Sequence, residues 1–154
     1  MLAELARRGY AVVEEPGMRI VAEERLGDGS ALPWVDPAAF GRRALAMSIA
    51  DHRAARGLIF FDRGVVDASV AVTARGGALP ADAIARCRYD RLFLAPPWPE
   101  IYEVTDDRRH SLEQALRDYT RVRLAYLDAG YAPVMLPRDT VAARADFVLS
   151  ELQC

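Results

Sequence analysis

The stretch LIFFDRG at residues 58–64 places four apolar residues directly before an acid, an arginine and a glycine. A short apolar run without alternating polar side chains is typical of a strand in a parallel sheet that helices cover on both faces. We therefore predict a strand over residues 58–61, buried on both faces. Asp62 and Arg63 then lie at its carboxyl end, where open parallel sheets carry their ligand sites.

Short apolar strands and amphipathic helices alternate on both sides of this stretch. The predicted elements are strands at residues 10–14, 91–95 and 131–136 and helices at residues 1–8, 18–26, 36–56, 65–74, 80–88, 106–129 and 140–152. Asp36 followed by Pro37 gives the clearest helix start, because Asp is a good cap and Pro suits the first turn. The alternation predicts an α/β fold with a doubly wound parallel sheet, in a single domain over residues 1–154.

Composition narrows the possible functions. The 154 residues include 20 basic and 22 acidic side chains, so the net charge is −2. This balance removes the electrostatic argument for nucleic acid or an anionic membrane as a partner. All the basic residues are arginine, which excludes a Schiff-base or phosphate-binding lysine supplied by this chain. Cys87 and Cys154 have no metal or redox spacing and the apolar runs are short, so we expect reduced thiols and a cytoplasmic location.

Three of the predicted strand ends carry residues suited to chemistry. They are EEP at residues 14–16, DRG at residues 62–64 and PPW at residues 96–98. A carboxylate and a guanidinium at neighbouring strand ends suit phosphoryl transfer. The carboxylate can hold Mg²⁺ or accept a hydroxyl proton, and the guanidinium can bind phosphate in a bidentate manner.

Four segments together resemble a known family. They read VVEEPGMR at residues 12–19, FFDRG at residues 60–64, FLAPPW at residues 93–98 and TDDRRH at residues 105–110. In this order they resemble small predicted ATPases that have the P-loop NTPase fold, often carry an AAA-type label and are built like nucleotide and nucleoside kinases. The resemblance covers essentially the whole chain. It implies a three-layer sandwich around a doubly wound parallel sheet, ATP and Mg²⁺ as cofactors, and an acceptor site for a small molecule.

The family's phosphate-binding loop has no counterpart in these residues. Members begin with a strand and a G-x-x-x-x-G-K-[ST] loop, and the helix after that loop corresponds to residues 1–8. The loop is therefore expected a few residues before Met1, and a gene start placed too late explains its absence better than a naturally trimmed protein. The missing strand is the central one of the family's sheet. Without it we expect two half-sheets, one containing residues 58–61 and the other residues 91–95.

Asp62 is the strongest candidate site residue. An acid directly after an apolar strand is the position from which a P-loop enzyme coordinates Mg²⁺ through water. The alternative is that Asp62 caps the following helix. By the resemblance, Arg63 corresponds to the arginine that meets substrate in deoxynucleoside and thymidylate kinases. An ion pair with Asp67 is the alternative for Arg63.

The acids before Pro16 provide a candidate base. By the resemblance, Glu15 corresponds to the glutamate of a Glu-Pro pair that accepts the proton of the acceptor hydroxyl in deoxynucleoside kinases. Glu14 competes for this role, and a solvated turn is the alternative for both acids. Arg19, one helical turn further on, is expected either to bind an acceptor phosphate or to lie along its own helix.

Two further features follow the third predicted strand. Arg108 and Arg109 open the long helix where related kinases carry a mobile lid that neutralises the transferring phosphate. An exposed, charged first turn is the alternative. Trp98 is expected to be a packing residue, with stacking on a base as its alternative role.

These features predict an ATP-binding P-loop ATPase, or a phosphotransferase to a small hydroxyl-bearing acceptor. This chain is expected to be inactive without the upstream loop. The alternative is a non-catalytic relative that acts as a binding or regulatory module. The identity of the acceptor and the oligomeric state stay open.

Overall fold

A computed structural model describes residues 1–102 and 111–153 of the chain. It is a mixed α/β structure whose strands are short and parallel. The elements in chain order are α1 (Leu2–Arg7), β1 (Ala11–Val13), α2 (Pro16–Leu26), α3 (Pro37–Ala54), β2 (Ile59–Phe61), α4 (Val65–Thr73), α5 (Ala81–Arg86), β3 (Phe93–Leu94), α6 (Leu112–Asp128), β4 (Val134–Met135) and α7 (Val141–Leu152). A 3-10 turn, Pro99–Ile101, lies between β3 and α6.

The chain divides into two compact units, each with its own sheet. The N-terminal unit spans Leu2–Arg88, and the C-terminal unit contains Met1 and the described residues from Tyr89 onward. In the N-terminal unit β1 pairs in parallel with β2, and in the C-terminal unit β3 pairs in parallel with β4. This pairing agrees with the two half-sheets expected from the sequence. The expectation of a single domain over residues 1–154 stays a prediction.

Helix α3 begins where its sequence predicts. The carboxylate of Asp36 accepts hydrogen bonds from the backbone N–H groups of Ala38 and Ala39, at 3.0 and 2.8 Å, and Pro37 occupies the first turn. These two bonds satisfy donors that the first turn of a helix leaves unpaired. Gly57 then adopts φ +73°, a left-handed conformation that glycine enters without steric cost, and the chain turns into β2.

The core of the N-terminal unit fixes the helices that follow its two strands. Ile20 of α2, Ala44 of α3 and Ala68 of α4 are buried together. Phe40, Leu45 and Met47 pack against this cluster. Because α2 starts directly after β1 and α4 directly after β2, this core also fixes the two loops that carry the candidate site residues.

A smaller aromatic core lies in the C-terminal unit. Tyr126 at the end of α6 and Tyr131 before β4 are both buried, and their rings meet edge to face with centroids 5.3 Å apart. The hydroxyl of Tyr131 accepts a hydrogen bond from the backbone N–H of Tyr89 at 3.1 Å. Each tyrosine thus contributes an apolar ring, and Tyr131 also satisfies a backbone donor.

The burial of β2 differs from the prediction. Strand β2 is only half-buried, and Leu58 before it is 46% exposed, so the expected burial on both faces is not observed. A sheet of two strands is too narrow to be covered as the inner strands of a wide parallel sheet are.

Helix α6 is capped by Ser111, whose hydroxyl accepts from the backbone N–H of Gln114 at 3.2 Å. The predicted start near residue 106 lies outside the described residues.

The described helices do not include a membrane-spanning candidate. The longest, α3, has 18 residues and carries charged side chains along its length. Within residues 1–102 and 111–153, no helix combines the length and the apolar character needed to cross a bilayer.

Candidate functional site at the ends of β1 and β2

The carboxyl ends of β1 and β2 lie side by side. Val13 pairs with Phe61 in the parallel register, and the backbone N–H of Asp62 donates to the carbonyl oxygen of Val13 at 2.9 Å. The acids after β1 and the Asp62–Arg63 pair after β2 therefore share one edge of the sheet. This is the edge at which parallel sheets bind their ligands.

Glu15 and Arg63 form an ion pair across this edge. The distance from Arg63 Nε to Glu15 Oε1 is 2.9 Å. The Glu15 side chain is 30% exposed and the Arg63 side chain 57% exposed, so both reach solvent and a ligand could approach them. Two of the residues predicted from separate strand ends are thus brought together. A carboxylate fixed in this way can act as a proton acceptor within reach of a bound hydroxyl.

The backbone of Arg63 has an unusual conformation. Its φ is +67°, in the left-handed region that bulky side chains rarely adopt. This conformation costs about 1–2 kcal/mol for a residue with a Cβ. Strained non-glycine residues of this kind cluster at ligand sites. The strain places the guanidinium beside Glu15 and was not evident from the sequence.

Asp62 does not cap helix α4. The cap position is occupied by Gly64, whose backbone N–H donates to the Asp67 carboxylate at 2.9 Å. The capping alternative for Asp62 is therefore wrong, and its carboxylate stays exposed at the sheet edge. The magnesium role of Asp62 stays a prediction.

Glu14 and Glu15, the two candidates for the base, differ in exposure and in their contacts. Glu14 is exposed, whereas Glu15 is half-buried and paired with Arg63. A Cβ added to Gly17 would lie 3.3 Å from Glu15 Oε1 and 3.2 Å from Phe40 Cζ. The Glu15 carboxylate thus folds back over the first turn of α2. Its position at a helix N-terminus is electrostatically favourable for a negative charge.

Arg19 is held by a partner that the sequence did not suggest. Its Nη1 lies 2.6 Å from Asp51 Oδ2 on α3, and the Arg19 and Asp51 side chains are 34% and 18% exposed. The sequence signal for Asp51 is an acid that continues the helical spacing of apolar residues in α3. The ion pair keeps Arg19 near α3, and its role toward an acceptor phosphate stays a prediction.

The remaining candidates and the possible metal ligands concern different parts of the chain. Arg108 and Arg109 lie outside the described residues. In the part of the chain that the structure describes, no group of three or more His, Cys, Asp or Glu side chains could hold a metal ion. Mg²⁺ typically uses one or two carboxylates together with water and substrate phosphates. A magnesium site at Asp62 would therefore require a bound nucleotide to supply the other ligands.

Comparison with known proteins identifies the family of this chain. The sequence matches the family model described as an AAA domain over residues 1–144. The chain belongs to this AAA domain family. Membership supports a P-loop NTPase-like, nucleotide-binding function, and such proteins generally bind their nucleotide with Mg²⁺. No curated protein and no solved structure matches the chain.

Proposed function

We propose that this AAA domain chain contributes the acceptor site and the magnesium-binding carboxylate of an ATP-dependent phosphotransferase. The observation that carries the proposal is the Glu15–Arg63 ion pair at the carboxyl ends of β1 and β2. It unites a base and a phosphate-binding group at the edge where parallel sheets bind ligands. Membership of the AAA domain family supports the binding of a nucleotide.

Each residue of the site has a role in this proposal. Glu15 accepts the proton of a hydroxyl on a small acceptor, and Arg63 holds Glu15 and balances the charge that develops during transfer. Asp62 binds the water shell of Mg²⁺. Arg19 binds a phosphate already present on the acceptor, and Arg108 and Arg109, which lie outside the described residues, neutralise the transferring phosphate.

The phosphate-binding lysine must come from outside these 154 residues, because none of them is lysine. We propose that a preceding strand and glycine-rich loop complete a P-loop fold of the nucleotide-kinase type, a three-layer sandwich. The backbone N–H groups and lysine of that loop would hold the β- and γ-phosphates of ATP. The chain without the loop is expected to be inactive.

The test uses the protein translated from the full open reading frame, including any in-frame upstream codons. ADP release from ATP and Mg²⁺ is measured during a screen of nucleosides, vitamins and sugars as acceptors. Replacing the base in Glu15→Gln should lower kcat by about 100-fold while leaving the KM for ATP nearly unchanged. Asp62→Asn should raise the Mg²⁺ concentration needed for half-maximal rate.

Glu14→Gln is the matched control, because it removes the neighbouring exposed carboxylate. Its kcat should stay within about twofold of the wild-type value. Equal losses in the two glutamine variants would assign the effect to general charge at this edge and contradict the role of Glu15. Circular dichroism of each variant checks that the fold is retained.

A second candidate function is a non-catalytic binding or regulatory module. The absence of lysine from the whole chain favours it. A stop codon directly upstream of Met1 in the same frame, together with no ATP turnover, would support this module and contradict the phosphotransferase.

A further inference from the structure

A cavity in the C-terminal unit is lined by none of the residues given a role in the proposed phosphotransfer. It has a volume of about 200 Å³ and lies next to the carboxyl ends of β3 and β4. The residues that line it are Ala95, Pro96, Trp98, Ile101, Tyr102, Pro137, Arg138 and Arg144. This lining contains two arginines and no acidic side chain, so its formal charge is positive.

Arg144 has a buried donor without a hydrogen-bond partner in the part of the chain that the structure describes. Its Nε is inaccessible to solvent and has no hydrogen-bond partner among the described residues. Leaving a buried donor unsatisfied is unfavourable, and more so when the group is charged. The side chain as a whole is only half-buried, and it forms part of the cavity lining.

The two arginines differ in how they are held. Arg138 is exposed, and its Nη2 donates to the carbonyl oxygen of Pro97 at 2.7 Å, which fixes a positive charge at the side of the cavity. Arg144 extends from the first turns of α7. The edge of a guanidinium offers two parallel N–H donors, which match the two oxygens of a carboxylate.

The rest of the lining suits a flat apolar body. Trp98 and Tyr102 are half-buried aromatic residues, and Pro96 and Pro137 add rigid apolar surface. A water molecule occupies about 30 Å³ in the liquid, so this cavity holds the equivalent of roughly six or seven waters. That volume accommodates one ring with one small substituent and is too small to enclose a whole nucleotide.

We propose that this cavity binds a small organic anion that consists of one planar ring bearing one carboxylate. The ring packs between the aromatic and proline side chains, and the carboxylate accepts hydrogen bonds from Arg144. Arg138 adds attraction at the mouth of the cavity. The proposal is independent of the phosphotransferase function, because it uses none of the residues assigned to that reaction.

The test measures binding to the full 154-residue chain by isothermal titration calorimetry. Benzoate is the probe for the complete ligand, benzamide keeps its shape without the charge, and acetate keeps the charge without the ring. We expect benzoate to bind at least about tenfold more tightly than either of the other two. Adenine is included as a neutral planar ring of similar size.

Variants locate the binding site. Arg144→Gln should weaken benzoate about tenfold and leave benzamide unchanged, because only the charged contact is lost. Arg138→Gln, at an exposed position, should weaken benzoate binding by a smaller factor. It provides the test if Arg144→Gln does not fold. Arg117→Gln on α6, outside this cavity, is the matched control and should bind benzoate like the wild type.

A fluorescence measurement reports on the ring contact. In a Trp34→Phe background, where Trp98 is the sole tryptophan, benzoate should change the fluorescence saturably.

Several outcomes would overturn the proposal. One is binding of benzamide or adenine as tight as that of benzoate. A second is an unchanged benzoate affinity in both Arg144→Gln and Arg138→Gln. A third is the absence of saturable benzoate binding up to about 20 mM, which corresponds to less than about 2.3 kcal/mol of binding free energy.

Discussion

At the scale of single residues, Arg63 combines a local cost with a specific contact. Its left-handed backbone is unfavourable, and its guanidinium lies 2.9 Å from Glu15. The ion pair is partly exposed, so it contributes no more than about 1 kcal/mol. The strain is therefore at least as large as the gain from this pair, as expected if the arrangement has the ligand-binding role proposed above.

This comparison predicts a difference between two variants of Arg63. Arg63→Ala and Arg63→Gly both remove the ion pair, but only glycine relieves the left-handed strain. We expect Arg63→Gly to have a free energy of unfolding about 1 kcal/mol above that of Arg63→Ala, measured by urea denaturation. If the alanine variant is as stable as the glycine variant, the backbone at this position is not strained.

Two neighbouring arginines in the sequence, Arg7 and Arg8, change the pKa of Glu4. Its carboxylate accepts from Arg7 Nε and Nη2 at 2.9 and 2.6 Å and from Arg8 Nε at 2.8 Å. Hydrogen bonds from Arg7 first, and then from Arg8, lower the pKa of Glu4 from 4.5 to about 2. The folded state thus favours the ionised carboxylate more than the unfolded state does.

The lowered pKa of Glu4 predicts a change of stability with pH. Since the folded pKa lies below the unfolded value, the contribution is fully present above pH 4.5 and is lost as the pH falls toward about 2. Glu4→Gln should remove this contribution, so its melting temperature should depend less on pH between 4.5 and 2. Thermal unfolding of both proteins across this range measures the effect, and parallel curves would contradict it.

The site residues also show what sequence alone could predict. Glu15, Asp62 and Arg63 were identified because each follows an apolar strand, and strand ends are local features. Their pairing was not identified, since the local partner weighed for Arg63 was Asp67. Contacts between residues far apart in sequence, such as Arg19 with Asp51, depend on how helices pack, and no spacing pattern encodes them.

At the scale of elements, two helical glycines differ in the space around them. A Cβ at Gly41 of α3 would lie 3.5 Å from Val72 Cγ2, an ordinary van der Waals contact. A Cβ at Gly17 of α2 would lie only 3.2 Å from Phe40 Cζ and 3.3 Å from Glu15 Oε1. Both helices would gain from alanine, but only at Gly17 must the neighbours move.

These distances predict different effects of the same substitution at the two positions. Gly41→Ala should raise the free energy of unfolding by about 0.5–1 kcal/mol, because alanine is the better helix former. Gly17→Ala should gain less stability and should displace the Glu15 carboxylate from Arg63. In the active full-length protein, Gly17→Ala should therefore lower kcat while Gly41→Ala leaves it unchanged. Equal activities of the two variants would show that the position of Glu15 is not set by Gly17.

The elements themselves were largely predictable, because their signals are local. Asp36 and Pro37 gave the start of α3, and Gly9 and Gly57, both with positive φ, mark turns close after α1 and α3. The lengths were less predictable: the strand expected over residues 91–95 is reduced to Phe93–Leu94. A strand is extended by hydrogen bonds to its neighbours, and the number of neighbours is a property of the whole sheet.

At the scale of the whole molecule, the two small sheets agree with the proposal that a further segment completes the fold. A P-loop fold uses its central strand to carry the phosphate-binding loop and to join the strands on either side. If that segment is supplied from outside these 154 residues, two separate two-stranded sheets are expected, and the phosphate-binding lysine belongs to that segment. The same explanation leaves Asp62 and the Glu15–Arg63 pair in place without the group that binds the nucleotide's phosphates.

This explanation predicts how the chain responds to ATP and Mg²⁺. Residues 1–154 alone should show no micromolar binding by calorimetry, because no lysine and no glycine-rich loop is present to hold the phosphates. A protein extended by an upstream loop should bind, and at a ligand concentration 100 times its Kd should be stabilised by about 2.7 kcal/mol. Replacing the loop lysine by methionine is the control and should abolish the stabilisation. Micromolar binding of ATP and Mg²⁺ by the 154-residue chain would show that these residues hold the nucleotide by another arrangement.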